Sequence, residues 1–570
     1  MTRSPGTSLV TGPARVDTLA NGFQAADRSA GRAEPTWVHE APFQPTPPFG
    51  PTTRTPGRRE EVAVATVSLP ERPNLGHLRR QARALQRAAV SGDPDAAARI
   101  ARHHPSPPAD LSALPLHAAQ LTLAREYGFL SWPRLRHYLD AVEEHGWTPE
   151  DETAPARSVA TEFCRLACLT YSEADGPDRW AAAGALLEAH AEDVDDDIWA
   201  AAAAARPDAV ARLLRRDPRL AHRRGGPRGW RPLAYLAYSR VSGADPVTTA
   251  RMLLDAGADP DEGYLWNGLP TPFTLLTGVF GEGEGGPERQ PRHRESTALA
   301  TLLLDRGAEP NDGQTLYNRM FGTDDDHLEL LFEYGLGRGD GGVWRRRLGP
   351  EAVDSPQQLV RDLLRWAVEH GQAARVRLLA EHGVDVRSPL DGGPWPAGGR
   401  PLTPEARTVA DPPSPWGLAM MTGDQEIADY LASRGAAPGA LAPVDAFVAA
   451  VMTADRDRVS ALGDGVRVSA IRARPGLVVW AVSRRNSAAV ALLVELGFDV
   501  NAFGRRDAPV EQPWETALHA AAADDDPEMV QLLLGLGADP SARDARFGAT
   551  PLEWARHLGS TSAVPLLDGR

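Results

Sequence analysis

Two glycine-rich runs carry the spacing G-x-G-x-x-G: Gly281, Gly283 and Gly286 in GEGEGG, and Gly337, Gly339 and Gly342 in GRGDGG. That spacing cradles a phosphate when it joins a strand to a helix and bare amides face the anion. Glu282 and Glu284 stand inside the first run and would repel phosphate, and neither run has a strand–helix context. Both read as flexible insertion loops, Arg338-Gly339-Asp340 included, and no cofactor is expected. All 61 basic residues are arginine. A chain without lysine offers no Walker-type phosphate ligand and no Schiff-base amine. Cys164 and Cys168 lie four apart on one helix face in FCRLACLTY, with no His or Cys close by to complete a metal set. They read as buried core thiols.

His103-His104 precede Pro105 at a helix end, where a cation suits the negative pole of the dipole; a metal pair there lacks matching ligands. The acidic runs EDVDDDIW, TDDDHLEL and DDDPEMV each precede a helix and read as caps of its first amides, without the distal Glu of a calcium loop. No H-E-x-x-H, G-x-S-x-G or Cys–His signature occurs. These absences predict a non-enzyme with no catalytic, cofactor or metal residue. The formal charge of −15 argues against nucleic acid and anionic membrane as partners. No apolar run approaches the ~20 residues of a membrane span, and no signal core opens the chain. A reduced, cytoplasmic setting is expected.

The elements that would position any site follow from spacing. Residues 1–68 are rich in Pro, Gly, Ser and Thr and read as a disordered tail. A helical module is expected over 69–150: Leu75, Leu78, Ala82 and Leu85 share a face, Asp93-Pro94 opens a second helix, another runs from about Pro115 to a turn at Gly128, and Ser131-Trp132-Pro133 starts the next. A repeat array is expected over 151–570, degenerate to about 205. Its phrase is MLLDAGADP, LLLDRGAEPN, LLFEYGLG, LLAEHGVDV, YLASRGAAP, LLVELGFDVN and LLLGLGADP. The glycines, Gly257, Gly307, Gly335, Gly383, Gly435, Gly497 and Gly537, each follow an apolar helix and read as left-handed helix stops. A second phrase, RPLAYLAY, TPFTLLTG, SPWGLAMM, TALHAAAA or TPLEWARH, starts the next helix. Repetition of this kind means a solenoid.

These residues resemble the ankyrin repeat, whose pattern is roughly G-x-T-P-L-H-x-A-A followed by V-x-x-L-L-x-x-G-A-D. The resemblance is strongest in ETALHAAAADDDPEMVQLLLGLGADP and GATPLEWARHLGSTSAVPLL. It implies an all-α solenoid of stacked helix–turn–helix pairs, in which His117 of LPLH and His519 of TALH hydrogen-bond backbone and fix a turn. The glycines are 50, 28, 48, 52, 62 and 40 residues apart rather than a steady ~33. Insertions such as GEGEGGPERQPRHRE and the segment 387–414 account for part of this, and LAPVDAFVAAVMTADRDRVSAL reads as a degenerate repeat. The LPERPNL and AREYGFLSWPRL segments look like a module that precedes bacterial ankyrin-type arrays.

Stacking lines up the loop tips and short first helices into one concave surface. Loop residues there that serve no obvious core are Arg224, Arg228, Trp230, Tyr264, Trp266, Phe503, Arg505, Arg506, Arg543, Arg546 and Phe547. Trp, Tyr and Arg concentrate binding energy at interfaces; the alternative is that each aromatic tucks under its own loop. The reading is a monomeric, non-enzymatic scaffold that binds a protein partner. The rival is an enzyme or small-ligand binder with its site in 70–200 or in a long insertion. A nucleic-acid regulator, disfavoured by charge, and a toxin-neutralising partner complete the alternatives.

Overall fold

The computed structural model describes residues 69, 74–149, 158–241, 243, 245–390, 413–436, 439–504 and 513–568. The tail 1–68 and most of the 387–414 insertion lie outside these residues.

Four helices come first: α1 (Leu75–Val90), α2 (Pro94–His103), α3 (Leu116–Glu126) and α4 (Trp132–His145). Their starts follow the expected chemistry. The Asp93 carboxylate accepts from the Asp95 and Ala96 amides, and Ser131 accepts from Arg134. Leu78, Ala82 and Leu85 are buried, with Leu75 half-buried at the same face. One small core joins α1–α3 through Leu85, Ile100 and Ala118. A second, around Leu78, Leu123, Leu135 and Leu139, takes in Leu265, Trp344 and Leu348 from far along the chain.

From Val159 onward the helices form a solenoid of pairs. The first helix of a pair is apolar all round because it is sandwiched. Every residue of Pro232–Tyr238 is buried, and that helix packs on Ile198–Ala203 and on Leu275–Phe280. Gly278 permits the second approach, since a Cβ there would lie 2.5 Å from the Tyr238 ring. Second helices show one apolar stripe: Pro207–Arg216 buries Ala209, Val210 and Leu213. Burying each Leu contributes about 2 kcal/mol. One continuous core runs from Trp147 to Leu567.

All seven repeat glycines have positive φ, between 83° and 101°. The amide after each stop turns back into the helix, as Ala258 does to the Leu253 carbonyl at 3.0 Å and Ala538 to that of Leu533 at 2.9 Å. The degenerate stretch forms a pair, Pro443–Met452 and Arg456–Leu462, followed by an extra helix, Asp464–Ala473.

One expectation needs correction and a second holds in part. The GEGEGG insertion is packed rather than loose. Glu282 pairs with Arg292 at 2.9 Å and with the buried Arg319, while Glu284 accepts from the Tyr317 hydroxyl. The run TDDDHLEL caps its helix through Asp324, which accepts the Asp326 amide at 3.0 Å, and not through Asp325, whose carboxylate pairs with Arg375 at 2.6 Å. Asp324 and Asp326 also join the Arg292–Arg319 network. At Asp325 the buried arginine outbids the amides because an unpaired guanidinium in the core is far more costly than an uncapped helix end. Asp197 and Asp526 also cap, as expected.

The fold also carries a small sheet: β1 (Gly146–Trp147), β2 (Gly263–Trp266) and β3 (Pro272–Thr274). β2 and β3 are an antiparallel hairpin projecting from one repeat, and β1 pairs with β2 in parallel, Trp147 opposite Trp266. The chain leaving α4 is thereby stitched to the array.

Candidate functional site

Where the sequence candidates fall divides the molecule into three places. The first is an aromatic cluster. Trp230 stacks on Tyr264 at 4.6 Å between centroids, Trp147 meets both edge-on at 5.6 and 5.3 Å, and Phe273 stacks on Tyr264 at 5.4 Å. The Arg228 guanidinium lies over the Trp147 and Trp230 rings, at 5.0 and 4.7 Å, and donates to the Leu169 and Cys168 carbonyls at 2.6 and 3.0 Å. The Trp266 indole donates to the Thr170 carbonyl at 2.8 Å. Arg228, Trp230, Tyr264 and Trp266 are 7, 5, 3 and 6 % exposed. This corrects their expected place on a binding surface. They look like loop residues in the sequence, yet β1 and the hairpin close over them and make them core.

The second place is a cleft of about 270 Å³ where α4 faces the hairpin repeat. His145 and Glu144 come from α4, Arg224 and Arg231 from the approach to Pro232–Tyr238, Glu262 from the hairpin and Arg347 from the helix Gly342–Leu348. Of the sequence candidates, Arg224 alone lines it. Glu262 accepts the Arg231 amide at 3.1 Å and faces its guanidinium at 3.8 Å. Burial pushes its carboxyl up to about 7, with Arg231 opposing. Burial lowers the pKa of His145; Glu144 opposes this, and Arg347, Arg224 and Arg231 reinforce it. The His145 ring meets Trp344 edge-on at 5.1 Å. Nothing local marks these residues out in the sequence, because 117 residues separate His145 from Glu262.

The third place is the pair of loops after Gly497 and Gly537. Asn501 binds them together, donating to the Gly537 carbonyl at 3.2 Å and accepting from the Asp539 amide at 2.8 Å. The Ala545 amide donates to the Trp514 carbonyl at 2.8 Å. Arg546 lies over Trp514 and Phe547 at 5.5 and 5.2 Å. Arg543 and Arg546 are exposed, Phe547 is half-buried, and Phe503 is 38 % exposed. Arg505 and Arg506 lie outside the described residues.

Behind these loops stands a repeat whose geometry is diagnostic. His519 is fully buried; its Nδ1 sits 2.7 Å from the Thr516 hydroxyl and its Nε2 2.9 Å from the Ala549 carbonyl of the next repeat. With Nδ1 accepting, Nε2–H donates, and one imidazole ties a turn to its neighbour. Residues 514–545 match the family model described as Ankyrin repeat. This helix pair is similar to an ankyrin repeat. The described residues from Val159 onward form an all-α helical-repeat solenoid of which this pair is a part, and ankyrin repeats are a general protein–protein interaction motif. No curated protein matches the chain in sequence. His117 does not share the role of His519: it is exposed at the start of α3 and ties no turn, because Pro115 rather than Thr precedes that helix.

The glycine runs bind their own side chains. Asp340 accepts the Gly342 amide at 3.0 Å and Gln290 accepts that of Gly285 at 3.0 Å, so amides a phosphate would need are taken. Cys164 and Cys168 are buried. Among the described residues no group of three or more His, Cys, Asp or Glu is placed to hold a metal ion, and no helix is long and apolar enough to cross a membrane.

Proposed function

We propose that the chain is a non-enzymatic scaffold that binds a protein partner, and that the partner seats on the paired loops at the C-terminal end of the array. The supporting observation is Phe503, a large apolar side chain 38 % exposed on a loop locked beside a second loop bearing Arg543, Arg546 and Phe547. An aromatic flanked by arginines on preorganised loops is the composition of interface hot spots. The hairpin end of the array, by contrast, already carries α4 and β1 of the same chain. The protein acts as a cytoplasmic monomer in this reading, with the acidic chain steering away from nucleic acid.

The test is a comparative capture from native lysate with the full chain and with a Phe503→Ser, Arg546→Ser variant. A stoichiometric partner retained by the wild type and lost by roughly 30-fold or more in the variant is expected, since two hot-spot truncations remove at least about 2 kcal/mol. Unchanged melting temperature confirms that the loss is at the surface. Equal capture by both proteins refutes the assignment of these loops.

A further inference from the structure

The cleft between α4 and the hairpin repeat has a polar wall that its own residues leave incompletely paired. Arg224 contacts the His145 ring at 3.5 Å and forms no ion pair among the described residues. Arg347 stacks on Trp344 at 5.0 Å and likewise has no carboxylate partner there. Guanidiniums keep their charge at any physiological pH, so these two positive groups persist. Across the cleft, Glu262 is 7 % exposed and its Oε2 is buried without a hydrogen-bond donor. A buried carboxylate oxygen left without a donor is costly, and a bound donor would recover that cost. Unpaired cations and an under-satisfied carboxylate, held in one cavity by three separate segments, complement a molecule that carries both charges.

We propose that this cleft binds a small zwitterion, its carboxylate held by Arg224 and Arg347 and its ammonium by Glu262. A volume of about 270 Å³ is below the range of roughly 300–1,000 Å³ for drug-sized ligands, which limits the occupant to amino-acid size. The three binding groups come from the loop before Pro232–Tyr238, the hairpin and Gly342–Leu348, and α4 forms the remaining wall. The partner-binding loops lie in other repeats, so this site is independent of them.

The test uses isothermal titration calorimetry on the full chain with ω-amino acids of increasing charge separation: glycine, β-alanine, 4-aminobutyrate and 6-aminohexanoate. Butyrate and butylammonium serve as single-charge controls. One zwitterion should bind at least ten-fold more tightly than either control. Arg224→Ser, on an exposed residue, should weaken it at least ten-fold with an unchanged circular dichroism spectrum, and Glu262→Gln, which keeps the acceptor for the Arg231 amide, should do the same. If Glu262→Gln does not fold, Arg224→Ser decides alone. The proposal is overturned if no zwitterion binds below about 10 mM, if butyrate binds as tightly as the best zwitterion, or if Arg224→Ser leaves affinity unchanged.

Discussion

Single side chains in this protein mostly serve to join one repeat to the next. His519 bridges two repeats, and Asp544 accepts the Arg546, Phe547 and Ala549 amides and the Trp554 indole, so one carboxylate shapes the last loop. His293 illustrates the same economy with a pH cost. It is 7 % exposed, its Nδ1 accepts the Glu295 amide at 3.1 Å, and burial, reinforced by Arg240 and Arg294, lowers its pKa to about 3. The unfolded chain takes up this proton near pH 6.5 while the native chain refuses it until about 3. Stability therefore falls as pH drops through that window, by up to about 1.4 kcal/mol per pH unit from this residue. His293→Asn, which keeps an acceptor for the Glu295 amide, should flatten the slope of unfolding free energy between pH 6.5 and 4. An unchanged slope in urea titrations across that range would count against it.

At the scale of elements, the helix stops decide the fold. Gly537 has φ 94° with open space where a Cβ would point, so a substitution there meets backbone strain and no clash. Gly537→Ala should cost about 1–2 kcal/mol and Gly537→Asn clearly less, since Asn tolerates the left-handed region. Urea midpoints of the two variants measure the difference; equal losses would mean that crowding rather than φ sets the cost. These stops and the Thr550-Pro551 start were legible because they are local, each depending on three or four residues and a backbone angle. In TPFTLLTG, by contrast, Pro272 is drawn into β3, and Thr274, not Thr271, caps the helix Leu275–Phe280. The insertions were not legible. GEGEGG is polar and glycine-rich like a mobile loop, and only the distant Arg319 and Tyr317 turn its carboxylates into fixed partners.

For the whole molecule, the decisive feature is the seating of the first four helices on the hairpin repeat. Leu265, Trp344 and Leu348 complete the core beneath α4, and Trp147 enters the aromatic cluster. Trp147 is 7 % exposed, and Trp147→Ala should cost about 3–5 kcal/mol. Hydrogen exchange should then accelerate selectively in 263–274 and 342–348 while 517–558 stays protected. Uniform acceleration along the chain would argue that the contact holds no local unit together. A chain beginning at residue 200 would expose the same cluster and should lose stability in that region first.

The sequence alone determined the repeat architecture, because a stacked helix pair depends on spacing, caps and left-handed glycines that lie within a few tens of residues. Arg224, Phe503, Arg543 and Arg546, which it singles out as loop residues, are exposed. Tertiary structure alone decided that Arg228, Trp230, Tyr264 and Trp266 are buried, and that His145, Arg224, Glu262 and Arg347 share a cleft. The reason is physical: whether an aromatic on a loop is core or surface depends on what covers it. Here the cover is β1, a two-residue strand more than eighty residues upstream.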